Sequence, residues 1–146
     1  MQDKHLHISK RIMLLAAIYN LIWGAAISIF PHLMLFGSEA TDFSLLMIRC
    51  IGMLVGVYGI AYYFCSVDPK RYWPLILVGL IGKLLGPLGA LFYIWQGVLN
   101  PEFLWSNLFN DIIWIPGFSW ILYQIFQQHP GIFREDLGLK SNIIQS

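Results

Sequence analysis

The run from Pro74 to Val98, PLILVGLIGKLLGPLGALFYIWQGV, decides the fold. It is apolar or small throughout except for Lys83 and Gln96, and about 20 such residues cross the ~30 Å hydrocarbon core of a bilayer. A lysine at the centre of such a span costs about 2.5–3.5 kcal/mol on insertion scales. Something in the molecule must therefore receive Lys83. Gly79, Gly82, Gly86, Gly89 and Pro87 surround it, so the same stretch combines close-packing residues, a cation and a helix-perturbing proline.

Three further runs share this character, and together they are Ile12–Phe30, Leu45–Ser66, Trp73–Val98 and Leu104–Phe126. The chain of 146 residues is 58% apolar and 12% charged, about half the charged share of ordinary soluble domains. The expectation is an all-α integral membrane protein forming one transmembrane domain over residues 1–146. Its helices, at about 12–30, 45–66, 73–98 and 104–126, make an antiparallel up-down bundle, because short connections favour antiparallel neighbours. Helix 1 is too long for a secretory signal and contains Asn20 and Trp23, so it reads as a retained span.

Orientation follows from the basic residues. Lys4, Lys10 and Arg11 precede helix 1, Lys70 and Arg71 join helices 2 and 3, and Arg134 and Lys140 follow helix 4. The opposite loops, around Glu39–Asp42 and Asn100–Glu102, have no lysine or arginine, which places both termini in the cytoplasm. The first ten residues read as a solvated polar segment, and the residues after Gln128 as a short cytoplasmic tail. Pro31 should end helix 1, Asp42 or Ser44 should cap helix 2, and Pro74 suits the first turn of helix 3.

Function classes narrow accordingly. A net charge of +1 leaves no nucleic-acid footprint. Cys50 and Cys65, on one helix and roughly 22 Å apart, cannot bridge, and no cysteine has metal-ligand spacing. No cofactor motif is present, and His5 and His7 belong to the polar segment rather than to a metal site. The G-x-x-x-G spacings Gly52/Gly56 and Gly82/Gly86 suggest close approach of helices 2 and 3, or of two copies of the chain.

Each span holds a polar residue away from its ends: Asn20, Arg49, Lys83, and the pair Asn110–Asp111. At 1.5 Å per residue, Lys83 lies roughly 14 Å from the inner end of its helix and Asn20 roughly 12 Å, with Asp111 roughly 10 Å and Arg49 roughly 6 Å below the outer end. Side chains that bend several Å along a helix let all of them meet in the outer half. Three ionisable groups facing lipid would cost about 8–10 kcal/mol, so they should face inward, with Lys83 and Asp111 paired. Arg49 either joins Asp111 or reaches the outer headgroups. Pro87 and Pro116 cannot donate to the carbonyls of Lys83 and Ile112, which loosens the backbone beside both charged positions. Tyr58 and Trp114 are the aromatic residues expected nearest.

Two cations facing one anion would leave a positive charge for an anionic head group, whether carboxylate or phosphate. A neutral Lys83 would instead accept a proton. The order of motifs IYNLIWGA (18–25), FP (30–31), GMLVGVYGIAYYFCSVDPKRYWPLILVGLIGKLLGPLG (52–89) and NDIIWIPGF (110–118) resembles a family of small bacterial four-helix inner-membrane proteins with no assigned activity. Some members are labelled alkyl hydroperoxide reductase, a label the two cysteines here do not support. The resemblance implies a multi-pass protein of the bacterial inner membrane. It also implies that Asn20, Lys83, Pro87, Asn110, Asp111 and Trp114 belong to the family pattern.

The leading expectation is an intramembrane pocket of Asn20, Arg49, Tyr58, Lys83, Asn110, Asp111 and Trp114 that binds or moves an anionic or polar-headed amphiphile. One alternative is a membrane enzyme using Asp111 and Lys83 as catalytic acid and base on a lipid or isoprenoid. Another is a structural subunit whose charges lock the bundle, with the glycine faces of helices 2 and 3 serving a homo-oligomer.

Overall fold

The computed structural model describes residues 3–37, 39–129 and 131–132, and every regular element among them is helical. Three helices, α1 (Asp3–Ile29), α2 (Asp42–Val67) and α3 (Trp73–Trp95), are long and apolar enough to cross a membrane. The fourth apolar run departs from a single helix. It is divided into α4 (Phe103–Asn110), a 3₁₀ turn over Ile112–Trp114, and α5 (Ile115–Gln128). Residues 133–146, with Arg134 and Lys140, lie outside the described residues.

Local chemistry sets most boundaries. α1 ends at Ile29, and Pro31 opens a short 3₁₀ turn over Pro31–Met34. α2 is capped one residue earlier than expected. The Thr41 hydroxyl accepts from the Ser44 amide at 3.1 Å, while the Ser44 hydroxyl accepts from the Thr41 amide at 3.0 Å. This reciprocal pair satisfies two donors that the first turn would otherwise leave open. Pro74 sits in the first turn of α3, where its missing N–H is harmless.

At the other end of α3, Gly97 takes a φ of +73°. The amides of Val98 and Gly97 return to the carbonyls of Tyr93 and Ile94. That is the Schellman arrangement, and glycine occupies the one position requiring a left-handed backbone. Helix 3 therefore stops three residues before the apolar run does. α3 continues through Pro87 without interruption.

The N-terminal segment is not a solvated tail. α1 begins at Asp3, because no glycine or proline interrupts the chain before Gly24 and because the added turns have something to pack on. Ser9 is fully buried, and His5 Nδ1 lies 2.9 Å from Gln124 Oε1 with its ring 5.6 Å from that of Trp120. His5 is half-buried and His7 exposed, as residues two apart on a helix must diverge.

The glycines of α2 serve a different neighbour from the one expected. A Cβ at Gly24 would lie 2.6 Å from the Gly52 carbonyl oxygen and 2.6 Å from the Gly56 nitrogen. A Cβ at Gly59 would lie 2.9 Å from the Leu21 nitrogen. α1 and α2 therefore touch backbone to backbone, and Gly52 and Gly59 face α1 rather than α3. Contact between α2 and α3 is instead made by the ring of Tyr62, which fills the notch at Gly79.

The apolar core is concentrated toward the end of the bundle that carries the N-terminus. Met13, Ala16, Ala17, Tyr62, Cys65, Trp73, Ile76, Phe118, Ile121 and Ile125 form one buried cluster there. The opposite end is held by loops: the Asn100 side chain donates to the Phe36 carbonyl, and Phe36 meets Phe103 edge to face.

Gly24→Ala should separate α1 from α2, because the obstacle is backbone that cannot rotate away. Overpacking of this kind costs about 1–3 kcal/mol. Gly89→Ala, where nothing lies within 4 Å, should cost almost nothing. Thermal unfolding of the two variants in detergent compares them directly.

Candidate functional site

The break in the fourth helix builds the site. Pro116 lies in the first turn of α5, so no amide reaches back from it to Ile112. The backbone tightens instead, with the Ile115 amide donating to the Ile112 carbonyl and the Trp114 amide donating to the Asp111 carbonyl at 3.1 Å. A continuous α-helix would have directed the Trp114 amide to Asn110. The Asn110 carbonyl is thus released from the helical ladder, and Lys83 Nζ donates to it at 2.5 Å. Lys83 is 4% exposed and comes from α3.

The same amine lies 3.5 Å from Asp111 Oδ1. Asp111 is well supplied with donors: Asn110 Nδ2 reaches Oδ1 at 3.0 Å, and Asn107 Nδ2 reaches Oδ2 at 3.2 Å. The carboxylate also leans over bare backbone, since a Cβ at Gly86 would lie 2.9 Å from Oδ2. A cation at the C-terminal end of α4 and a carboxylate beside it are electrostatically consistent, because that helix end presents unpaired carbonyls.

A part-enclosed cavity of about 160 Å³ adjoins the pair. Its lining is Asn20 from α1, Val55, Tyr58 and Tyr62 from α2, Gly79, Gly82 and Lys83 from α3, and Asn110 with Asp111 from the break. It straddles the seam between the α1–α2 hairpin and the α3–α5 half. Asn20 turns its amide nitrogen onto the Ala16 carbonyl at 2.8 Å, satisfying that donor within its own helix.

The residues singled out from sequence therefore separate. Asn20, Tyr58, Lys83, Asn110 and Asp111 line one cavity. Arg49 does not. It is exposed, and its Nη1 donates to the Ser28 carbonyl at 2.8 Å near the end of α1. Depth along a helix places a residue vertically and says nothing of the direction it faces, which is why Arg49 was grouped with the others. Without it the cavity has one cation and one carboxylate, so the expected excess positive charge is absent there. Trp114 lies outside the lining, with its ring 5.5 Å from that of Tyr19. Its buried Nε1 has no hydrogen-bond partner among the described residues.

Asn107 was missed. It is 5% exposed and holds the second carboxylate oxygen, from one helical turn before Asp111. The signal was a polar residue four positions from the acid, a spacing that puts both on one helix face. Tyr62, Val55, Gly79 and Gly82 were also not assigned to the site. Glycine gives no chemical signal of its own, and Tyr62 was one aromatic among many. Cys65 Sγ lies 3.6 Å from the Tyr72 carbonyl and both cysteines are free thiols. No protein-family model, curated protein or solved structure matches the chain.

Lys83→Met should strand a buried carboxylate with its two amide donors, a loss of about 3–5 kcal/mol. Adding Asp111→Asn, which keeps an acceptor for those donors but removes the charge, should recover most of it. Melting temperatures of the single and double variants in detergent measure the coupling.

Proposed function

We propose that the protein is a four-span membrane protein whose seam cavity binds the polar head of an amphiphile. α1, α2 and α3 supply three spans. The broken fourth segment supplies the last: about 12 Å from α4 and about 21 Å from α5, with the 3₁₀ turn between them, are more than enough to cross a hydrocarbon core of ~30 Å. Helices broken at membrane depth are tolerated where the irregular backbone lines a cavity, and the Asn110–Asp111 break does line one.

The observation that carries this reading is the cavity's wall: a buried lysine, a carboxylate and two asparagine side chains beside two tyrosines and two glycines. Polar groups at this depth are costly, and those that persist face an interior cavity rather than lipid. A volume of about 160 Å³ holds several waters or a small head group. It is below the roughly 300–1,000 Å³ that encloses whole drug-sized ligands. The head group sits inside and the chain remains in the bilayer.

Both termini are cytoplasmic in this reading. Lys4, Lys10, Arg11, Lys70 and Arg71 cluster at the end of the bundle holding the apolar core, while the Phe36 and Asn100 loops at the other end are free of lysine and arginine. The membrane is the bacterial inner membrane, in keeping with the family that the motifs resemble.

Two measurements test the proposal. Native mass spectrometry of protein released from bacterial membranes should show one bound amphiphile, and the folded Lys83→Met/Asp111→Asn double variant should have lost it. Retention of the same ligand by the double variant would refute the pocket. Reporter fusions at either terminus should be active only when the reporter folds in the cytoplasm, and a periplasmic signal from the C-terminal fusion would remove the fourth span.

A further inference from the structure

The cavity is not closed on all sides. Its floor is buried, with Asn20 and Tyr62 each 2% exposed, and its rim is not: Tyr58 and Gly82 are both exposed. These two residues line the cavity from α2 and from α3. A Cβ at Gly82 would meet nothing within 4 Å, and the same holds for Gly56 on α2. Elsewhere the neighbouring elements touch: Tyr19 meets Trp114, Asn100 bridges to Phe36, and Tyr62 packs against Gly79. α2 and α3, which carry the exposed Tyr58 and Gly82, also carry Leu54, Val57, Val78 and Leu85, all exposed and apolar. A surface of that composition borders hydrocarbon, not water.

Hydrogen-bonding capacity inside the cavity is specific. An ammonium has three donors. Two of those on Lys83 go to the Asn110 carbonyl and to Asp111, leaving one. Asn20 uses its amide nitrogen on Ala16, and its amide oxygen has no partner among the described residues. Asn110 Oδ1, in the same lining, also has no partner among the described residues, so one ammonium donor and two amide acceptors remain, while Lys83 and Asp111 balance each other's charge. A charged head group would find no counter-charge, and would pay the full penalty of reaching this depth. A hydroxyl both donates and accepts, and sinks into a bilayer at far smaller cost.

We infer that the occupant is an amphiphile with a small, uncharged, hydroxyl-bearing head, which enters from the bilayer through the gap between Tyr58 and Gly82. The inference rests on the pocket reading above and adds the head-group class and the route.

The test uses the full chain in detergent with three defined probes: 1-monooleoylglycerol, oleate at alkaline pH and dioleoylphosphatidylglycerol. Native mass spectrometry should find 1-monooleoylglycerol retained in preference to the other two. Gly82→Leu should leave the melting temperature unchanged and weaken that binding by about tenfold or more. Gly82→Cys in a Cys50→Ser background, folded first and then capped with benzyl methanethiosulfonate, closes the same mouth without asking the substituted chain to fold. Binding unchanged by both closures, yet lost in Lys83→Met/Asp111→Asn, overturns the route and leaves the pocket intact. Preference for either anionic probe overturns the uncharged head. Retention of none of the probes, while a cellular amphiphile still co-purifies and is lost in the double variant, overturns the head-group class alone. Binding that survives the double variant overturns the pocket reading along with everything built on it.

Discussion

The hydrogen bond from Lys83 to the Asn110 carbonyl is the constraint on which the inner arrangement depends. It exists because the fourth apolar run is broken before Pro116, and the tightened turn there releases a carbonyl. An ammonium is among the few groups that satisfy a free carbonyl at such depth, and a free carbonyl lowers the cost of burying the ammonium. Asp111 then neutralises the charge, and Asn107 and Asn110 hold the carboxylate in place. Removing Lys83 leaves the Asn110 carbonyl without its donor, and removing Asp111 leaves the amides of Asn107 and Asn110 without their acceptor.

Arg49 follows the same rule elsewhere in the molecule. It too donates to a backbone carbonyl near a helix end, that of Ser28 one residue before α1 stops. The cations of α2 and α3 therefore both sit where a helix leaves acceptors open, where the axial dipole favours positive charge. The difference is lateral. Lys83 points into the seam and Arg49 points along the α1–α2 surface, so only the first contributes to a cavity.

Much of the fold was legible because long apolar runs and isolated charges within them are strong signals. Three helices long and apolar enough to cross a membrane could be read from apolar length, and the proximity of Lys83 to Asp111 from the cost of leaving either alone. What escaped was information that a one-dimensional profile does not contain. The break after Asn110 is invisible to hydropathy, since Ile112, Ile113 and Trp114 are as apolar as a helix would need. The partner of Gly52 and Gly59 is set by packing of α1 on α2, and G-x-x-x-G spacing names no partner. Polarity suggested that the first ten residues were solvated, whereas His5 meets Gln124 and Trp120 of α5 and Ser9 is buried. Arg49 had the right depth and the wrong azimuth.

The ring of Tyr62 lodged against Gly79 has a mechanical meaning. It joins α2 to α3 beside the cavity, and the same ring belongs to the apolar core. Beyond it the two helices are tied again at their far ends, where the Asn100 side chain that follows α3 donates to the Phe36 carbonyl that precedes α2. The stretch at Tyr58 and Gly82 thus lies between two fastenings, like the span of a bridge between its piers. A Cβ at Gly82 would meet nothing within 4 Å, so the gap can be narrowed from this position without displacing a packed side chain.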